Sequence, residues 1–145
     1  MKKVRSKSAS QCPISFALDL FGDRWSLLII RDVVFKKKCH FREFLTSPEK
    51  VSTNILAARL AKLEANNLLI KTVDPENASG FIYRLTSKGR DLVPLLLEMT
   101  SWSAKHDPTS VLSDSVIDGA PRQLLRRLKK DRQSLLSDIL KNIPK

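Results

Sequence analysis

Along most of this chain apolar residues recur in steps of three and four, and in two short runs they alternate, a pattern that predicts a mainly α fold with a small β-hairpin (α+β). CPISFALDLFG predicts a short first helix, with Pro13 suited to its first position and Gly22 to its end. Arg24 to Phe35 is nearly all apolar, with Trp25, Leu28 and Ile29 on one face, and predicts a core helix. KKKCH reads as a basic connector, Phe41, Phe44 and Leu45 form one face of a short helix, and Ser47-Pro48 signals a turn.

The run from Val51 to Ile70 organises the rest. Ser52 is a good N-cap, Val51 and Leu56 are spaced as a hydrophobic staple, and Leu56, Leu60 and Leu63 gather on one side. Asn66-Asn67 reads as the stop. The other side carries Asn54, Ala58, Ala61 and Lys62, with Thr53 and Ala57 at its edge. LLIKTVD and GFIYRLT then predict two strands joined by the turn-rich PENAS, with Phe81, Tyr83 and Leu85 on one face and Ile82 and Arg84 on the other. Thr86 is a plausible N-cap for a helical segment reaching His106, which Pro94 should kink or restart.

Two helices joined by TSPEKV and followed by a hairpin form a winged helix-turn-helix, whose second helix enters the major groove. A helix apolar behind and short-chained in front suits that place, because Asn can bond adenine bidentately and Ala can meet the thymine methyl. The base-contact candidates are Thr53, Asn54, Ala57 and Ala58, and the phosphate candidates are Arg42, Lys50, Arg59, Lys62, Lys71 and Arg84. An ordinary surface helix would show the same local pattern, so the helix carries this reading only with its neighbours.

Charge changes the picture mainly at the ends. The net charge of +11 over 145 residues suggests a polyanionic partner, yet residues 1–11 hold four basic and no acidic side chains and residues 119–145 hold eight basic and two acidic ones. What lies between is almost neutral, although residues 36–84 hold nine basic and five acidic groups. The expected organisation is therefore a flexible basic leader (1–11), a domain at 12–106, a linker (107–120) and a basic amphipathic C-terminal helix (121–145). That last helix could pack on its own domain, extend a dimer contact or lie along DNA. No apolar run approaches the roughly 20 residues of a membrane span, and the start lacks the core of a signal peptide, which leads to a cytoplasmic expectation.

Two cysteines, Cys12 and Cys39, are too few for a disulfide framework and lack metal-site spacing, so neither metal nor cofactor is expected. Lys36, Lys37, Lys38 and His40 could lower the thiol pKa of Cys39. Two histidines, four glycines and no nucleophile-base constellation argue against an enzyme. The apolar positions Leu18, Leu92, Leu95, Leu96, Met99 and Trp102 exceed what a small domain covers by itself and are expected at a homodimer interface.

In order and spacing, CPxxxxLDLxGxRWxLLIIRD at 12–32, HFREF at 40–44, VSTNILAARLAKLEANNLL at 51–69 and YRLTSKGRDLVPLL at 83–96, ending in Trp102, resemble the HxlR-type winged-helix transcriptional regulators of bacteria and archaea. The resemblance implies a homodimer joined through terminal helices on a near-palindromic double-stranded operator. In some members a cysteine near the start of the first helix senses oxidants or electrophiles, and Cys12 matches that position. The wing loop DPENASG departs from the pattern, being acidic at Asp74 and Glu76 with no basic tip. The alternative is a winged-helix module for protein contacts or DNA binding without sequence preference.

Overall fold

The computed structural model describes residues 10–107, 109 and 121–145. Most of the leader and of the linker falls outside these. The elements run α1 (Pro13–Phe21), α2 (Arg24–Phe35), α3 (Phe41–Phe44), α4 (Thr53–Ala65), β1 (Leu69–Asp74), β2 (Asn77–Leu85), α5 (Ser87–Arg90), α6 (Val93–His106), α7 (Pro121–Lys130) and α8 (Arg132–Asn142).

Each boundary has a local cause. Pro13 opens α1, Asp23 caps α2 by accepting from the backbone N–H of Trp25 and Ser26, and Ser52 caps α4 by accepting from Ile55 N–H. At the far end of α4, Asn67 takes the left-handed conformation (φ 57°) and Leu68 N–H returns to the Leu63 carbonyl at 2.9 Å, a Schellman closure that turns the chain into β1. Pro94 restarts a helix rather than kinking one. Between β2 and α5 the chain is held by Thr86, whose hydroxyl accepts from Gly89 N–H and donates to the Asn67 carbonyl. Gly89 is obligatory in this corner, because a Cβ there would lie 2.2 Å from the Leu68 carbonyl oxygen.

The core forms around α2, with Ile29, Ile30, Val33 and Val34 meeting Leu56, Leu60 and Leu63 of α4 and Val93 and Leu97 of α6. β1 and β2 pair antiparallel from Leu69↔Leu85 to Val73↔Phe81, then a bulge brings Asp74 opposite Asn77, so the second strand starts three residues earlier than the pattern predicts. Both hairpin faces are partly covered. Tyr83 and Leu85 are buried on one side and Ile82 on the other, while Arg84 is half-buried. The basic connector also does more than connect: His40 bridges Ile82, and Tyr83 N–H donates to the Cys39 carbonyl at 2.8 Å, adding a short third rung to the sheet.

The C-terminal segment is two helices rather than one. Asp131 caps α8 through Ser134 N–H, and Leu135, Ile139 and Ile143 are buried against the main core, with α8 packed on α2 and α6. Arg90 fastens this end by donating to the carbonyls of Leu140 and Pro144. Among the three expectations for the tail, packing on its own domain is the one α8 follows.

Candidate nucleic-acid interface

α4 is held from behind and open in front. Its buried stripe of Leu56, Leu60 and Leu63 is at most 1% exposed, whereas Thr53, Asn54, Ala57, Ala58 and Ala61 face solvent. The front therefore offers one amide, one hydroxyl and four methyls, with no long side chain among them. Arg42 on α3 and Lys50, just before α4, are exposed and carry no ion pair among the described residues. Lys50 sits in the left-handed conformation (φ 54°) at the end of the helix-turn-helix turn.

Arg59 and Lys62 are placed differently from the phosphate role expected of them. Both reach Asp23, at 3.2 Å from Arg59 Nε and 3.5 Å from Lys62 Nζ, so they brace α4 against the start of α2. Burial would raise the Asp23 pKa, but its bonds from the Ser26 hydroxyl and backbone and the Arg59 charge outweigh this and hold it below the usual range. Lys71 lies 4.1 Å over the Phe81 ring, a cation–π contact that leaves it exposed on the wing.

A polar hub fixes the turn before α4. Asp32 is buried on α2 and accepts from Lys38 Nζ at 3.1 Å and from the Ser47 hydroxyl, while Arg31 forms a two-pronged pair with Glu49 at 2.5 and 3.0 Å. Hydrogen bonding from Arg31 lowers Glu49 to about 2 against the opposing effect of burial. No local pattern announces this hub, because its members come from three separate segments.

The cysteines separate. Cys12 is exposed at the N-cap of α1. Cys39 is half-buried, and its expected activation is reversed: desolvation first, then Glu43 and Asp74, raise its pKa, with Arg84 opposing. The lysines meant to lower it point elsewhere, Lys36 and Lys38 to Asp32 and Lys37 to the Val34 carbonyl. His40, which stands 3.3 Å from the Cys39 sulfur, gives its other ring nitrogen to Asp74 at 3.0 Å, and that bond raises its pKa. The acidic wing residue Asp74 is thus tied to the helix-turn-helix itself.

Of the residues expected at a dimer interface, Leu96 is buried in the protomer's own core and Leu92 packs against it, because the i+1 and i+4 positions after Leu92 rotate inward at the Pro94 restart. Leu18, Leu95, Met99 and Trp102 remain exposed, joined by Ile14 and Phe16. Ile14, Leu18, Leu95 and Met99 line an apolar groove of about 800 Å³ between α1, the start of α2 and α6.

A profile of the HxlR-like helix-turn-helix family matches residues 20–110, well over half of the chain. The chain belongs to this family. Its relatives include YodB, a helix-turn-helix transcriptional regulator of Bacillus subtilis, 36% identical over 65% of this chain and 84% of YodB, whose reduced form superposes with a TM-score of 0.56 over 70% of this chain and 100% of that one. An uncharacterised helix-turn-helix regulator of Synechocystis, sll1512, is 34% identical over 61% of this chain, and the match spans 64% of its length. The redox regulator HypR in its oxidised form superposes with a TM-score of 0.58 at 27% identity, covering 65% of this chain and 96% of HypR. The chain is thus a transcriptional regulator of the helix-turn-helix type, with a winged fold. No helix among its described residues is long and apolar enough to cross a membrane.

Proposed function

We propose that this HxlR-type regulator acts as a homodimer on a near-palindromic operator, reading bases with Thr53, Asn54, Ala57 and Ala58 of α4 and holding phosphates with Arg42, Lys50, Lys71 and Arg84. The observation that carries this reading is the short-chained exposed face of α4, backed by a rigid leucine stripe. The uncovered apolar residues of α1 and α6 supply the surface for a second copy, which would present two α4 helices to successive half-sites. Arg59 and Lys62 drop from the phosphate set, since Asp23 already engages them. Selection of bound genomic fragments, followed by a comparison with random DNA over a range of salt, tests it: a recurring inverted repeat bound far above random DNA is expected, and equal affinity would refute sequence reading.

Regulation through Cys12 is part of the proposal. Cys12 is exposed at the start of a helix that borders the dimer groove, so a modification there would act on subunit packing. YodB has been solved bound to a quinone and after diamide treatment, and HypR is a redox regulator. DNA binding by wild type should respond to diamide and quinones, and Cys12→Ser should abolish that response; an unchanged response would remove Cys12 from the account.

A further inference from the structure

Cys39, His40 and Glu43 bring a sulfur, an imidazole nitrogen and a carboxylate oxygen within 4.8 Å of one another where the connector meets α3. We propose that this cluster is a binding site for a divalent zinc-like cation. Cys39 Sγ stands 3.3 Å from His40 Nδ1, and His40 Nδ1 stands 3.4 Å from Glu43 Oε1. Zn–S and Zn–N bonds of about 2.3 and 2.0 Å around a tetrahedral ion put such donors roughly 3.3–3.5 Å apart, so two of the three edges already fit. The third edge, from Cys39 Sγ to the Glu43 carboxylate, lies within 4.8 Å.

The surrounding groups orient these donors as ligands. Glu43 Oε2 accepts from the backbone N–H of Cys39 at 2.7 Å and of His40 at 2.8 Å, which turns Oε1 toward the other two donors. With its proton on Nε2, His40 donates to Asp74 and leaves the Nδ1 lone pair free for a metal, the carboxylate–histidine arrangement that supports metal-bound imidazole. The electrostatics agree: Glu43 and Asp74 face the site, Arg84 is the opposing cation, and Lys36, Lys37 and Lys38 are turned away to Asp32 and the Val34 carbonyl. A mixed thiolate, imidazole and carboxylate set suits Zn²⁺ over Mg²⁺ or Ca²⁺, and three protein donors leave a fourth position for water. Binding deprotonates the Cys39 thiol: the Zn–S bond forms, the S–H bond breaks and the proton passes to buffer. The ion would tie the start of α3 to the wing through Asp74.

The test is titration of the full, reduced chain with Co²⁺ alone and then Zn²⁺ in competition, with no DNA present, so its outcome is independent of the operator reading. One equivalent of Co²⁺ should produce a thiolate-to-cobalt charge-transfer band that Zn²⁺ removes. Cys39→Ser should lose the band, Cys12→Ser should keep it, and Asp74→Asn should weaken binding about 10- to 100-fold. Circular dichroism of each variant confirms that the fold persists; should Cys39→Ser unfold, the Asp74→Asn and Cys12→Ser results decide. Absence of the band in wild type, its loss in Cys12→Ser, or unchanged affinity in Asp74→Asn overturns the proposal.

Discussion

Arg59 of α4 reaches Asp23 at the start of α2, its Nε 3.2 Å from Oδ1, and thereby commits to the fold a charge that stands beside the exposed face of α4. Asp23 is at once the N-cap of α2 and the brace of α4, so Asp23→Ala should destabilise the fold by about 1–2 kcal/mol. Arg59→Ala should lower the melting temperature while leaving the salt slope of DNA binding unchanged. Lys50→Ala should do the reverse, weakening all sequences and reducing that slope by about one. Urea melts and salt titrations of the two variants separate the roles.

The Arg31–Glu49 pair sets a pH dependence. Glu49 ordinarily titrates near 4.5 and is lowered to about 2 in the fold, so its contribution is complete above about 4.5 and is lost as pH falls from there toward 2. Allowing for its partial exposure, about 1–2 kcal/mol is at stake. Glu49→Gln should melt earlier than wild type at pH 7 and show less additional loss between pH 5 and 3. Equal losses in that window would mean the pair is broken in solution.

Leu96 and Met99 lie three residues apart on α6 and should behave oppositely. Leu96→Ala opens a cavity in the core and should cost about 2–5 kcal/mol, with dimerisation affected only through folding. Met99→Glu, on the exposed side bordering the groove, should keep the fold and yield a monomer. Thermal melts with sedimentation analysis check both.

Gly89 makes a sharper stability prediction. With the Leu68 carbonyl 2.2 Å from any added Cβ, Gly89→Ala must push α5 away from the start of β1, and a loss of about 1–3 kcal/mol is expected in a urea melt.

What could be read in the chain was what is decided locally. Ser52 as a cap, the Leu56–Leu60–Leu63 stripe and the Asn66-Asn67 stop each depend on a handful of neighbouring residues, and each stands where the pattern placed it, while at Pro94 the restart prevails over the kink. What escaped was carried by partners far apart in sequence. Asp32 with Ser47, Asp23 with Arg59, and His40 with Asp74 join distant segments, and no periodicity reports which charge will find which. Cys39 illustrates the consequence: a run of lysines beside it suggests an activated thiol, yet folding turns the lysines away and brings carboxylates instead. Leu96 turns into the core rather than outward for a related reason, since an amphipathic stripe does not say which of its sides meets the protomer's own core.

The most direct measurement of the central claim is operator binding by Asn54→Ala, with matched and single-substituted half-sites compared at fixed salt. Asn54 is exposed in the first turn of α4 and its removal disturbs nothing buried, so the fold and the salt slope should persist while binding to the matched site weakens by about 1–3 kcal/mol and discrimination at one base pair per half-site is lost. Unchanged affinity with unchanged discrimination would contradict the assignment of α4 as the helix that reads DNA.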